Sequence, residues 1–391
     1  MMLDRQYNRL GGVEVGVLLF ILLAAFRVCM MPAMLADFAG ESGFYVLLAG
    51  LSVDLVVTGA SLAVAAHGGV RRLPVPSVVR RVLCTVLFAF FLFKIALRTY
   101  EVVDYCTGEL FDHATPLLLT VVLVLTAAIL AAKGFRGLAR TSLTYLLLVG
   151  LLALLSVFFV SFNGYGYNLW PLLRPRKVGE GILRSMLWLG DGAVFLFADI
   201  RHDGVKKGYT WGAIAFLFVL VTAVLFYLGF ISTYGSAGRY VRYAFVRLLT
   251  GGDPEQLGAV DWPVVLIWLT AVPVHLGALF YALVFALREA VTPAKEGVSF
   301  VYYALGAVLS VLAYLLLFRD KDVFPALAEA RWLSFVLVGV LSIVVVAALF
   351  AVVLGRRVPP DEGEVDSSSR RSDRVPAASP SAQATVPPEE C

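Results

Sequence analysis

Leu189-Gly190-Asp191-Gly192-Ala193 puts a carboxylate between two glycines in the middle of an apolar run, residues 182–200. Such a run matches the bilayer, because a helix rises ~1.5 Å per residue and the hydrocarbon core is ~30 Å thick. Glycine lets backbone leave the helix, and aspartate is a preferred N-cap for a helix that follows. Unwound backbone at membrane depth survives only where it lines a cavity or is buried in protein. The stretch therefore predicts a span built of two half-helices, with Asp191 capping the second.

A second interruption lies in the first apolar run. Ala24-Ala25-Phe26-Arg27-Val28-Cys29-Met30-Met31-Pro32 carries a charge and a proline inside residues 15–36. Proline suits the first turn of a helix, where its missing N–H costs nothing. Pro32 is therefore expected to begin a second half-helix, leaving residues 27–31 partly unwound.

Working outward, about ten apolar runs emerge: 15–36, 44–66, 82–103, 116–132, 142–162, 182–200, 211–231, 264–287, 298–318 and 332–354. Barrel strands would be about half as long and would alternate in polarity, so these are helices. The chain is 60% apolar and 15% charged, against about 25% charged in soluble domains. The expectation is an all-α membrane protein. Ten spans divide into five plus five, and the interrupted spans are the first of each half. Corresponding broken helices in two halves mark an inverted-repeat transporter, with the ligand site between the breaks.

The basic residues set the orientation. With the N-terminus inside, Arg5, Arg9, Arg71, Arg72, Arg80, Arg81, Lys133, Arg136 and Arg140 fall in inner segments, which favours both termini in the cytoplasm. The basic cluster Arg174, Arg176 and Lys177 opposes that bias. Arg5 and Arg9 before the first run resemble a signal-peptide n-region, but no small-x-small cleavage site follows, so the run reads as a mature span. Residues 1–354 form the transmembrane domain. Residues 355–391, rich in Ser, Pro, Asp, Glu and Arg, are too polar to fold alone and read as a disordered cytoplasmic tail. A membrane-lying helix is expected around residues 240–249.

Several function classes lack support. There is no phosphate loop, His-Glu-x-x-His or Gly-x-Ser-x-Gly, so neither an enzyme nor an ATP-driven pump is indicated. The basic residues sit in loops as anchors, which gives no nucleic-acid surface. Cys29, Cys84, Cys106 and Cys391 show no metal or disulfide spacing, and no cofactor or metal site is expected. Gly164-Tyr165-Gly166 reads as a loop turn.

Candidate site residues gather at the breaks. Two half-helix N-termini facing one cavity suit an anionic group, which places ligand contacts at Arg27, Val28, Met30, Gly190, Asp191 and Gly192. Arg27 either strengthens that site or pairs with Asp191; alternatively the two are a structural pair, or Asp191 is only a cap. Asp54, Thr58 and Ser61 share one helical face. Lys94, Arg98 and Glu101 share another, with Lys94 deep and the other two nearer the outer surface. Asp54 and Lys94 are expected to pair, either along an ion path or as a purely interhelical bridge. His275 follows Pro273 and reads as hydrogen-bonded to a neighbouring helix.

The order of local motifs adds a resemblance. Residues 31–44, Met-Pro-Ala-Met-Leu-Ala-Asp-Phe-Ala-Gly-Glu-Ser-Gly-Phe, resemble the end of span one in the spore-germination permeases, the integral B subunits of GerA-type germinant receptors. Arg98-Thr99-Tyr100-Glu101 resembles that family's Arg-Glu ending of span three, and Thr115-Pro116 its opening of span four. Lys133-Gly134-Phe135-Arg136-Gly137-Leu138-Ala139-Arg140 resembles its loop before span five. Asn168-Leu169-Trp170-Pro171-Leu172 resembles its segment before span six, and Asp261-Trp262 with Trp268 the opening of span eight. The chain departs from the pattern at Arg27, where the family has a small or neutral residue, and at Asp191, where it has Glu. The resemblance implies the amino acid/polyamine/organocation transporter fold, a LeuT-like inverted repeat with spans one and six discontinuous. It implies a spore inner-membrane location, a small germinant such as an amino acid, and partnership with an A-type membrane subunit and a lipoprotein C subunit. The other functions left open are a proton- or sodium-coupled amino-acid symporter and a channel or structural membrane subunit.

Overall fold

The computed structural model describes residues 9–27, 31–111, 113–163, 165–166, 168–169, 178–200, 204–241, 243–244, 248, 261–292 and 298–318. The tenth apolar run, the polar tail, Val28, Cys29, Met30, Gly164, the cluster Arg174, Arg176 and Lys177, and half of the expected membrane-lying helix fall outside them.

Among the described residues the secondary structure is helical apart from one isolated parallel bridge between Leu10 and Ile200. Span one is two helices, α1 (Gly12–Arg27) and α2 (Met31–Ala39), with Pro32 in the first turn of α2. A 3₁₀ turn, Gly40–Ser42, leads into α3 (Gly43–Ala65), and α4 (Ser77–Tyr105) runs on into a π-helical turn, Cys106–Leu110. Then come α5 (Pro116–Ala132), α6 (Gly134–Asn163), the short α7 (Val178–Ser185), α8 (Val205–Tyr234), α9 (Asp261–Val291) and α10 (Phe300–Phe318). Five of the described helices are long and apolar enough to cross a membrane.

One expectation fails at the α5–α6 junction. The basic segment 133–141 is not a loop: α6 starts at Gly134, and the two helices are bent by 113°. Gly134 makes the elbow at φ 78°, a left-handed conformation that costs glycine nothing. The basic side chains that mimic a loop composition lie on the first turns of α6.

The pattern of burial is that of a lipid-solvated bundle. On α5 the exposed residues Leu118, Val122, Leu125 and Ile129 form one stripe, while Thr120, Val124, Ala127 and Ala131 form the buried one. Both follow the i, i+4, i+7, i+11 spacing of a helix face. On α10, Val301, Leu305, Val308 and Leu312 face outward and Gly306, Ser310 and Ala313 inward. Large apolar residues outside and small or polar ones inside are what close helix packing in lipid requires.

α1 lies at the centre, with Val15 and the run from Val17 to Ala25 buried. It meets α8 through glycines. A Cβ on Gly16 would stand 2.8 Å from both Cβ and O of Trp211, and one on Gly12 would stand 2.8 Å from the carbonyl carbon of Lys207. Close approach of backbones at small residues four apart is the general device for packing membrane helices. Gly16→Ala is expected to force the pair apart and cost about 1–3 kcal/mol, read as a lower unfolding midpoint of the purified protein in detergent.

Candidate functional site

The sixth span breaks where its glycines predict, but its second half is not an α-helix. α7 passes into a 3₁₀ turn, Met186–Trp188, the chain extends at Leu189, and a second 3₁₀ segment runs over Asp191–Phe197. Gly190, at φ 90° and ψ 8°, holds the N-cap position. Asp191 is therefore the first helical residue and not the cap, and its carboxylate is free to turn into the protein. The physical reason is that only glycine takes this left-handed corner without strain.

Unwound backbone must find partners at once in a dry interior, and here side chains of α3 and α4 supply them. The Lys94 ammonium donates to the carbonyl oxygens of Leu187 (3.0 Å) and Leu189 (2.9 Å). Arg98 Nη2 donates to the carbonyl of Trp188 at 3.0 Å. The N–H of Gly190 donates to Asp54 Oδ1 at 2.8 Å. Four consecutive residues of the break are thus held by three charged side chains.

The same charges compensate one another. Lys94 Nζ lies 2.8 Å from Asp191 Oδ1, and Arg98 Nη2 lies 2.9 Å from Asp191 Oδ2. Arg98 Nη1 pairs with Glu101 Oε2 at 2.9 Å, and the Trp188 indole N–H donates to Glu101 Oε1. His275 Nε2, from α9, stands 3.7 Å from Asp191 Oδ2. Lys94 and His275 are 0% exposed, Arg98 and Asp191 1%, Glu101 5% and Asp54 0%. A lone charge in mid-membrane costs ~2.5–3.5 kcal/mol on insertion scales, so a cluster this dry depends on the ion pairs of Lys94 and Arg98 with Asp191 and of Arg98 with Glu101.

Several site expectations are revised by this geometry. Lys94 forms a close ion pair with Asp191, and Asp54 accepts from the Gly190 N–H, contacts that the expected Asp54–Lys94 pairing did not include. The unsatisfied backbone of the break lies between α3 and α4 and recruits both. Arg98 and Glu101, expected nearer the outer surface than Lys94, are buried inside the protein. Both oxygens of Asp191 are engaged by α4, through Lys94 and Arg98. Arg27 is the last residue of α1, and its side chain, like Val28 and Met30, lies outside the described positions. Gly192 packs against Thr58: a Cβ there would run into the Thr58 hydroxyl and stand 2.9 Å from its Cβ. His275, read from the sequence only as bonded to a neighbouring helix, stands beside Asp191, a place in the cluster that the sequence did not indicate.

The span-one break is reached from α9. The Trp268 indole donates to the Ala25 carbonyl at 2.7 Å, near the end of α1. Tyr105 packs edge-on against both Trp268 and Tyr243, with centroids 5.2 and 5.0 Å apart, and the Tyr243 hydroxyl donates to Asp104 Oδ2 at 2.6 Å. α1 also packs against the Asp191–Phe197 segment. Among the described residues no group of three or more His, Cys, Asp or Glu side chains is placed to hold a metal ion.

No protein-family model matches the sequence, and no curated protein matches it. Solved structures do. One similar structure is a Na+-coupled sialic acid symporter in a substrate-bound outward-open state, at a TM-score of 0.62 and 12% identity, covering 87% of this chain and 80% of that one. Another is a mutant of the manganese transporter of Eremococcus coleocola, at a TM-score of 0.55 and 11% identity, covering 88% of this chain and 78% of that one. The chain is an integral membrane protein with the LeuT-like, all-α fold of secondary transporters, its sixth span discontinuous at the point where buried charges converge.

Proposed function

We propose that this chain is the integral membrane subunit of a spore germinant receptor, sensing a small nutrient such as an amino acid between the breaks of spans one and six. The observation that carries a binding role is the break at Leu189–Gly190, held open by charges from α3 and α4. A protein does not keep so many ionisable groups dry at mid-span without use for them. The receptor assignment is supported by the ordered motifs from Met31-Pro32 to Trp268. Arg27, Val28, Met30, Gly190 and Gly192 would meet the ligand, while Asp191 belongs to the support behind it. Binding would shift the bundle between two conformations and pass that shift to an A-type subunit and a lipoprotein C subunit in the spore inner membrane, with both termini in the cytoplasm.

The test is a panel of L-amino acids against the purified chain by thermal shift, followed by Arg27→Gln. Loss of a charged hydrogen-bond donor to a ligand carboxylate should weaken binding by about tenfold or more. Spores carrying the substitution should need correspondingly more germinant at unchanged protein level. An unaltered dose–response removes Arg27 from the site.

A second reading, active symport, is favoured by the fold likeness to secondary transporters. Uptake of labelled substrate into proteoliposomes that depends on an imposed ion gradient would favour it over a receptor.

A further inference from the structure

We propose that the Lys94 ammonium is a built-in cation, occupying an oxygen cage at the broken sixth span that a free monovalent cation would otherwise fill.

In transporters built on discontinuous helices, unwound carbonyls and the C-terminal ends of half-helices coordinate the coupling ion. Here the carbonyls in that position are those of Leu187 and Leu189, at the end of the Met186–Trp188 turn and just beyond it. Both accept from Lys94 Nζ, at 3.0 and 2.9 Å, and Asp191 Oδ1 supplies a third oxygen at 2.8 Å. Two neutral carbonyl oxygens and one carboxylate oxygen form a hard-donor set suited to alkali and alkaline-earth ions and not to soft metals. Two of the three ammonium N–H donors meet the carbonyls, and the Asp191 carboxylate lies within ion-pair distance. Phe90 lies 5.8 Å from Nζ, its ring adding a favourable electrostatic contact. The side chain is 0% exposed, so no solvent ion competes for the cage.

A tethered cation changes what the break can do. A free ion can leave and carry information about its own concentration; Lys94 cannot leave. The break is therefore stabilised at any sodium concentration, and ligand engagement at this span needs no sodium gradient. The inference concerns the cage alone and holds whatever ligand the protein binds.

The test uses sodium itself on the purified full chain, with no germinant present, so its outcome is separate from that of the receptor assignment. Thermal unfolding is followed across a NaCl series balanced with choline chloride to constant ionic strength. The wild type should be indifferent to the exchange. Lys94→Ala vacates the cage and should gain a saturable, sodium-specific rise in midpoint, about 5 °C at roughly a hundredfold excess over its dissociation constant. A wild-type midpoint that rises saturably with sodium overturns the proposal, as does a folded Lys94→Ala protein indifferent to sodium. Should Lys94→Ala not accumulate, Lys94→Ser, whose short side chain also vacates the cage, is read by the same two criteria. The wild-type series decides if neither variant folds.

Discussion

Asp191→Ala is expected to destabilise the protein by about 3–5 kcal/mol, the range seen when one partner of a buried ion pair is removed and the other charge is left in place. Two cations depend on this carboxylate, Lys94 at 2.8 Å and Arg98 at 2.9 Å, and both are almost fully buried. Glu101 remains for Arg98, whereas the Lys94 ammonium loses the carboxylate 2.8 Å away and retains the Leu187 and Leu189 carbonyls. The measurement is the unfolding midpoint and the yield of monodisperse protein in mild detergent. Adding Lys94→Met to Asp191→Ala should recover only part of the loss: the uncompensated charge is gone, but the Leu187 and Leu189 carbonyls lose their donor. A single Asp191→Ala variant as stable as the wild type would mean that the cations are not held by this carboxylate.

Gly192→Val should cost about 3 kcal/mol, at the upper end of the overpacking range. The obstruction is not a mobile side-chain tip. A Cβ at Gly192 meets the Thr58 hydroxyl, with Thr58 Cβ at 2.9 Å and Cα at 3.2 Å behind it. α3 and the Asp191–Phe197 segment would have to separate, which pulls Asp54 from the Gly190 N–H. Thr58→Gly in the same chain should restore part of the midpoint, whereas Thr58→Gly alone should lower it only modestly. Equal losses in the single Gly192→Val variant and in the double variant would show that the clash lies elsewhere.

The parts of the fold legible in the sequence are those set by local chemistry. Gly190-Asp191-Gly192 marks the break of span six because a left-handed corner at Gly190 needs a glycine, and Pro32 marks the restart of span one because its ring favours a first turn. Lys94, Arg98 and Glu101 share a face because they lie four and three residues apart on α4. Their partners were not legible. Lys94 reaches carbonyls 93 and 95 residues along the chain, and neither periodicity nor composition encodes which backbone groups will be left unsatisfied. His275 reads from the sequence only as bonded to a neighbouring helix; that its neighbour is Asp191 becomes visible only when α9 is packed against the break. The α5–α6 elbow was misread because surface helix turns and loops carry the same charged residues, and only Gly134 distinguishes them.

The stretch before α1 is tied to the stretch after broken span six. Leu10 N–H donates to the Asp199 carbonyl at 2.9 Å, Leu10 and Ile200 form a parallel bridge, and Arg9 Nε pairs with Asp199 Oδ2 at 3.1 Å. Main-chain stitching of this kind transmits displacement without slack. In the two-conformation mechanism proposed above, the ends of the two interrupted crossings would travel together as one lever, with any opening on that face running around the pair rather than between them.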